Sequence, residues 1–201
     1  MDINITIENL KKKGYSVSYF ERSEDATEYL NNIIDGKTVG FGDSTTLFSI
    51  KLFEKLKTHN EVFDPQNCQI GENFNDIAKK CLTTEIFITS VNALTQTGEI
   101  VNIDDTGNRI AGSLFGHEKV FFVVGINKLV DSLEDAIYRG KNIAAPKNAK
   151  RLGIMTPCAI KGYKCYNCST PDRICNAMII HYRKMSNIEM EIILINEELG
   201  F

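Results

Sequence analysis

Two stretches of this chain carry almost no polar interruption, Val-Phe-Phe-Val-Val-Gly-Ile from Val120 to Ile126 and Ile-Phe-Ile-Thr-Ser-Val from Ile86 to Val91. Their β-branched and aromatic residues do not alternate with polar ones, the pattern of central parallel strands covered on both faces. A helical period replaces it over Ser23–Ile34. There Ala26, Tyr29, Leu30, Ile33 and Ile34 share one face, Ser23 can cap the start, and Glu24 and Asp25 suit the positive end of the dipole. Strand-like runs flank this helix at Tyr15–Phe20 and Thr38–Phe41. A second helix carrying Leu47, Ile50, Phe53 and Leu56 is predicted after Ser44. Further on, the pattern predicts a helix over Asp131–Asn142, with Leu133, Ala136, Ile137 and Gly140 inward, and a late strand over Glu189–Asn196. Strands alternating with helices predict an α/β fold, a mainly parallel sheet sandwiched by helices.

The alternation breaks between Val91 and Gly116. Turn signals at Thr97-Gly98, Asp104-Asp105 and Thr106-Gly107 surround a short strand, Glu99–Ile103, and predict an inserted hairpin or flap. Residues 1–14 read as an N-terminal helix and residues 156–176 as a cysteine-rich loop, both within a single domain spanning 1–201.

With 201 residues, 43 % of them hydrophobic, the chain can bury one substantial core. A formal charge of −3 gives no basic surface of the kind that neutralises phosphate backbones, so nucleic acid is not an expected partner. The acidic and polar start, Met1-Asp-Ile-Asn-Ile-Thr-Ile-Glu8, does not read as a secretion signal. No apolar run is long enough for membrane insertion. A cytoplasmic protein is expected, and the sequence leaves room for a homo-oligomer.

Reduced thiols in that compartment bring the cysteines forward. Cys158, Cys165, Cys168 and Cys175 are spaced x6, x2, x6, with the central pair as Cys165-Tyr-Asn-Cys168, while Cys68 and Cys81 stand apart. A two-residue gap lets two thiolates reach one centre, and the outer pair can close the shell of zinc or an iron–sulfur cluster. The rival readings are reduced, partly buried thiols, or two bridges formed on oxidation. A long loop containing Pro157, Gly162 and Pro171 needs a tether, which a metal would supply.

Other candidate chemistry sits at predicted strand ends. In Gly40-Phe-Gly-Asp-Ser-Thr-Thr46 the glycines, above all Gly42, allow a ligand to approach the backbone. Asp43 and the Ser44, Thr45 and Thr46 hydroxyls, with free amides, suit a phosphate or carboxylate. The competing reading is a plain strand–helix turn with Ser44 as cap. Ser90 and Asn92 end one predicted strand, and Asn127 and Lys128 follow another; Lys128 could neutralise an anion or simply be solvated. Asp104, Asp105, Asn108 and Arg109 crowd one turn, as an anion clamp, an acid–base pair, or a self-satisfied turn with an Asp–Arg bridge. Glu99 is a candidate carboxylate nucleophile or base. His117 could carry a proton but reads more readily as an exposed loop residue, and His59 and His181 stand in no motif.

Taken in order, Gly40-Phe-Gly-Asp-Ser-Thr-Thr46, Thr89-Ser-Val-Asn-Ala-Leu-Thr95, Gly98-Glu-Ile-Val-Asn-Ile-Asp104, Thr106-Gly-Asn-Arg109 and Val124-Gly-Ile-Asn-Lys128 resemble the LUD domain of lactate-utilization proteins. The resemblance implies a fold similar to the sugar-phosphate isomerase and CoA-transferase group, with a ligand cleft beside the Gly-rich and Asn-Lys turns. It also implies a place in the oxidation of lactate or a similar small organic acid, alongside an iron–sulfur partner protein. The leading expectation is therefore a protein whose cleft binds an anionic metabolite, with Glu99, Asp104, Asp105 and Arg109 as the groups available for any catalysis. A redox accessory protein carrying an iron–sulfur cluster, or an interaction module with structural zinc, are the alternatives.

Overall fold

The computed structural model describes residues 2–201. In chain order the elements are α1 (Ile3–Lys12), β1 (Ser16–Phe20), α2 (Ser23–Ile33), β2 (Thr38–Phe41), α3 (Thr45–Ser49), α4 (Leu52–Leu56), β3 (Glu61–Phe63), α5 (Phe74–Cys81) and β4 (Ile86–Thr89). They continue with β5 (Ala93–Thr95), β6 (Ile100–Asp104), α6 (Asn108–Leu114), β7 (Lys119–Gly125), β8 (Leu129–Val130), α7 (Leu133–Arg139), α8 (Ala145–Arg151), α9 (Pro157–Lys161), β9 (Ala177–His181) and β10 (Glu189–Ile195).

Six strands form one sheet in the order β1-β10-β7-β4-β2-β3, and every pairing in it is parallel. The unbroken apolar runs have the cause expected of them. Phe121, Val123, Ile193 and Ile195 face one core with Leu30 of α2 and Leu52 and Leu56 of α4. Val120, Phe122, Val124, Ile192 and Leu194 face a second core with Leu10 of α1 and Ile77 of α5. Water is excluded from both sides of β7 and β10, so a polar residue there must be paired, as Glu191 is, accepting from Ser18 at 2.8 Å, Tyr29 at 2.9 Å and Lys119 at 2.7 Å.

The hairpin lies in a separate four-stranded sheet, β8-β5-β6-β9. Strands β5 and β6 pair antiparallel, β9 adds antiparallel to β6, and β8 adds parallel to β5. Helix α7 covers this sheet, with Ala136 packed on Ala93 and Val101.

Three local expectations are corrected. The helix predicted after Ser44 is two short helices, because Lys51 takes a left-handed conformation with φ 52° between them. The helix predicted to stop at Asn142 passes through a π turn, Gly140–Ala144, into α8. A Cβ at Gly140 would lie 3.2 Å from the Ile103 side chain, so this inward glycine serves helix–sheet packing. His117 is not an exposed loop residue: it is 4 % exposed, stacks on Phe87 with ring centroids 5.0 Å apart, and meets the Thr84 carbonyl at 2.6 Å through Nδ1.

Burial pushes the His117 imidazole below its usual value, so the folded chain binds that proton less readily than the unfolded chain. Stability should therefore fall on acidification from about pH 6.5 down to the folded value and level off below it. Urea titrations of the native chain and of His117→Phe should differ in slope over that window, and superimposable pH profiles would refute the effect.

Candidate functional site

Parallel pairing brings the carboxyl ends of β2, β4 and β7 to one edge of the main sheet, and a cleft of about 260 Å³ opens there. Asp43, Ser44 and Thr45 follow β2, Ser90, Val91 and Asn92 follow β4, and Lys128 follows β7. The opposite wall comes from the β6–α6 turn, Ile103 to Thr106 with Arg109, and from α8 through Ala145, Asn148 and Arg151. Phe74, Ala144, Leu152, Ile174 and Phe201 complete it.

Lys128 sits at the floor, carried inward by a single 3₁₀ turn, Ile126–Lys128. It is 2 % exposed, and its ammonium donates to Thr46 Oγ1 at 2.7 Å and to Ser90 Oγ at 2.8 Å. Those hydroxyls spend their own protons elsewhere, Thr46 on the Leu199 carbonyl at 3.3 Å and Ser90 on the Val123 carbonyl at 2.6 Å. Both therefore turn lone pairs towards the amine. Among the described residues no carboxylate lies within ion-pairing distance of Lys128. Burial, then the positive charges of Arg139 and Arg109, depress its pKa to about 7.

Sequence reasoning missed Arg139. It lies in α7, 6 % exposed, and donates from Nη1 to the Asn92 carbonyl and from Nε to the Asn127 carbonyl at 3.1 Å. One guanidinium thus ties together the turns that follow β4 and β7. Its position three residues after the inward Ala136 was the available signal.

The remaining candidates separate into cleft and scaffold. Asp104 lines the cleft, but both its oxygens are engaged: Oδ2 accepts the Arg109 and Ile110 amides at 3.0 and 3.2 Å, and Oδ1 accepts Arg109 Nε at 3.2 Å. It caps α6 and holds the guanidinium. Asp105 accepts the Asn176 amide at 2.7 Å. Asn108 accepts the Thr106 hydroxyl at 2.6 Å and does not line the cleft. Asn92, which lines the cleft, spends its side-chain oxygen on the Ile103 amide at 2.6 Å. Asn127 turns away, its Oδ1 taking the Leu199 amide at 3.1 Å. Asp43, with φ 35°, holds a left-handed conformation at the rim and accepts from Gln66 Nε2.

Gly42 lies beneath the site. A Cβ there would come within 2.6 Å of Thr89 Oγ1 and 2.8 Å of the Phe87 ring, so packing, not ligand approach, requires the glycine. Helix α3 is only five residues long, too short for a developed dipole. Glu99 lies outside the cleft in an ion pair with Lys13 at 2.6 Å. Burial would raise its pKa, but hydrogen bonds from Lys13, Thr95 and Thr97 prevail and hold it at about 2.

The four clustered cysteines are joined by no disulfide and line one small cavity of about 20 Å³. Among the described residues no three His, Cys, Asp or Glu side chains stand in a ready metal-binding arrangement. The thiols nevertheless sense each other: burial, then Cys165 and Cys158, push Cys175 up to about 11.

Fold and site together define an α/β protein with a strand-end cleft built around a buried, unpaired amine. The chain belongs to the LUD domain family, whose match spans residues 3–195. It is similar in structure to a DUF162 family protein from Deinococcus radiodurans, at 9 % identity and TM-score 0.53, covering 96 % of this chain and 95 % of that one. At that identity the likeness concerns the fold alone. A second similarity, to eIF2B beta from Chaetomium thermophilum, has 16 % identity and TM-score 0.35, covers 56 % of this chain and 44 % of that one, and bears on nothing further. No curated protein matches the chain.

Two substitutions separate scaffold from cleft. Gly42→Ala should cost about 1–3 kcal/mol by overpacking against Phe87 and Thr89, measured by denaturant unfolding; an unchanged midpoint would show that this interior yields freely. Glu99→Gln should abolish the part of the acid sensitivity that appears as pH falls from about 4.5 towards about 2, because the native carboxylate's depressed value contributes stability only above that window. It should leave the cleft unaltered.

Proposed function

We propose that the cleft binds a small organic anion, a carboxylate of the lactate type, and that the protein serves small organic-acid metabolism as the LUD relationship suggests. The observation that carries this reading is Lys128. A buried charge without a counter-charge is costly, and a ligand carboxylate would supply what the two neutral hydroxyls do not. An ammonium has three donors, and two are already directed, which leaves one for the ligand. The Asn92 side chain and the Ser44 and Thr45 hydroxyls offer neutral partners for the ligand's other polar atoms. A space of about 260 Å³ suits a compact metabolite and is small for a dinucleotide.

The neighbouring acids support the same reading. Asp104 is neutralised by Arg109 and the α6 amides, Asp105 is held by Asn176, and Asp43 by Gln66, so none is free to pair with the amine. An entering carboxylate would favour the charged amine and raise its pKa, so binding above neutrality takes up a proton.

Lys128→Ala should weaken carboxylate binding by about 1–3 kcal/mol, the loss expected for one charge-assisted hydrogen bond. In the native chain, affinity should fall as pH rises through about 7 and the ammonium is lost. Calorimetry with lactate and with inorganic phosphate, in buffers of different ionisation enthalpy, reads both quantities. Equal affinities for native and variant chains would end the proposal.

A further inference from the structure

We propose that Cys158, Cys165, Cys168 and Cys175 hold one metal centre through four thiolates, zinc or an iron–sulfur cluster, beside the cleft. The thiols are gathered by bonds that need no metal. Cys158 lies in α9, which packs on α8. The Cys165 amide donates to Asn142 Oδ1 at 2.9 Å. Arg173 donates to the Cys168 carbonyl at 2.7 Å and to the Cys175 carbonyl at 2.9 Å, so one guanidinium sets the spacing of two of the four. These bonds bring the four sulfur-bearing side chains to the walls of one cavity, and the thiols, no three of which stand in a metal-binding arrangement, would draw together around the metal.

Two further observations favour thiolate character at the central pair, Cys165 and Cys168. The Asn167 amide donates to Cys165 Sγ at 3.3 Å and the Thr170 hydroxyl to Cys168 Sγ at 3.5 Å, each from two residues further on. Asn167 takes φ 46° inside the Cys165–Cys168 turn that aims its amide at the sulfur. Donors directed at sulfur stabilise negative charge on it and are the kind of outer partner that tunes a metal–thiolate site. The charged residues that line the cavity are Lys141 and Arg173, with no carboxylate among its walls. Four thiolates around a divalent ion, or around a cluster with two positive charges, carry a net charge of about −2, which two cations complement.

The centre would stand one side chain from the proposed ligand. Ile174 lines both the cysteine cavity and the cleft, and Asn176, next to Cys175, bonds Asp105 in the cleft wall. The assignment does not rest on the anion reading, because metal content is measured on ligand-free protein.

The test is elemental and sulfide analysis of the full chain purified without oxygen, with an absorption spectrum. About one zinc per chain in colourless protein, or iron with matching inorganic sulfide and broad visible absorption, supports the centre and names it. Cys165→Ser/Cys168→Ser should lose that metal, and Cys68→Ser, outside the cluster, should keep it. Since the double variant could merely misfold its loop, cobalt titrated into the metal-depleted native chain gives an independent reading. A thiolate-to-cobalt charge-transfer band saturating at one equivalent is expected for zinc-type coordination, and reconstitution with iron and sulfide restoring visible absorption is expected for a cluster. Metal-free protein that binds none of these ions, or protein whose four cysteines form two disulfides under the same anaerobic handling, would overturn the proposal.

Discussion

Parallel pairing across the six-stranded sheet is the constraint from which the site follows. Because β2, β4 and β7 all run the same way, the turns after Phe41, Thr89 and Gly125 open on one edge, although 84 residues separate the first strand end from the last. Burial of both sheet faces fixes the register, since a one-residue slip of β7 would exchange the two sets of apolar side chains that fill two different cores. Register in turn fixes where Lys128 can reach. With Gly125 opposite Ile195, the amine meets hydroxyls from the turns after β2 and β4.

Much of this framework is legible in the sequence because burial on two faces leaves a strong mark. Strands β4 and β7 read as apolar runs with almost no polar interruption, and α2 shows a single apolar stripe. What escapes the pattern is short or marginal. Strand β3 has three residues at the sheet edge, and β9, Ala-Met-Ile-Ile-His, is largely exposed at its start and follows an irregular loop. The π turn escapes because the inward spacing of Leu133, Ala136, Ile137 and Gly140 reads the same whether the helix stops at Asn142 or runs on through a wider turn.

The site is legible at a coarser level. A lysine just past a strand is visible as a residue type, but its burial depends on contacts 38 and 82 positions away with Ser90 and Thr46. Glu99 was the reverse case. It has the chemistry of a base, yet Lys13, 86 positions earlier, claims it for the scaffold. Arg139 leaves the faintest trace, since an arginine within a helix is usually solvated, and only the convergence of the Asn92 and Asn127 carbonyls gives it a reason to be inside.

Burying Lys128 links the cleft to the stability of the whole fold. Its ordinary value near 10.5 is depressed to about 7, so between those values the unfolded chain holds a proton that the folded chain has released. Stability therefore rises with pH across that window, the opposite sense to an amine that gains a carboxylate partner on folding. The anion proposed for the cleft would reverse the balance, because it would stabilise the charged amine only in the folded state and add its own binding free energy to that state. The turn that carries Ser90 is anchored to the turn after β7 by Arg139, and the facing wall belongs to the second sheet through Asp104. A ligand that bridges Lys128 and that wall would thus connect the two sheets directly, so its effect should extend beyond the cleft to the packing of the β5–β6 hairpin against the main sheet.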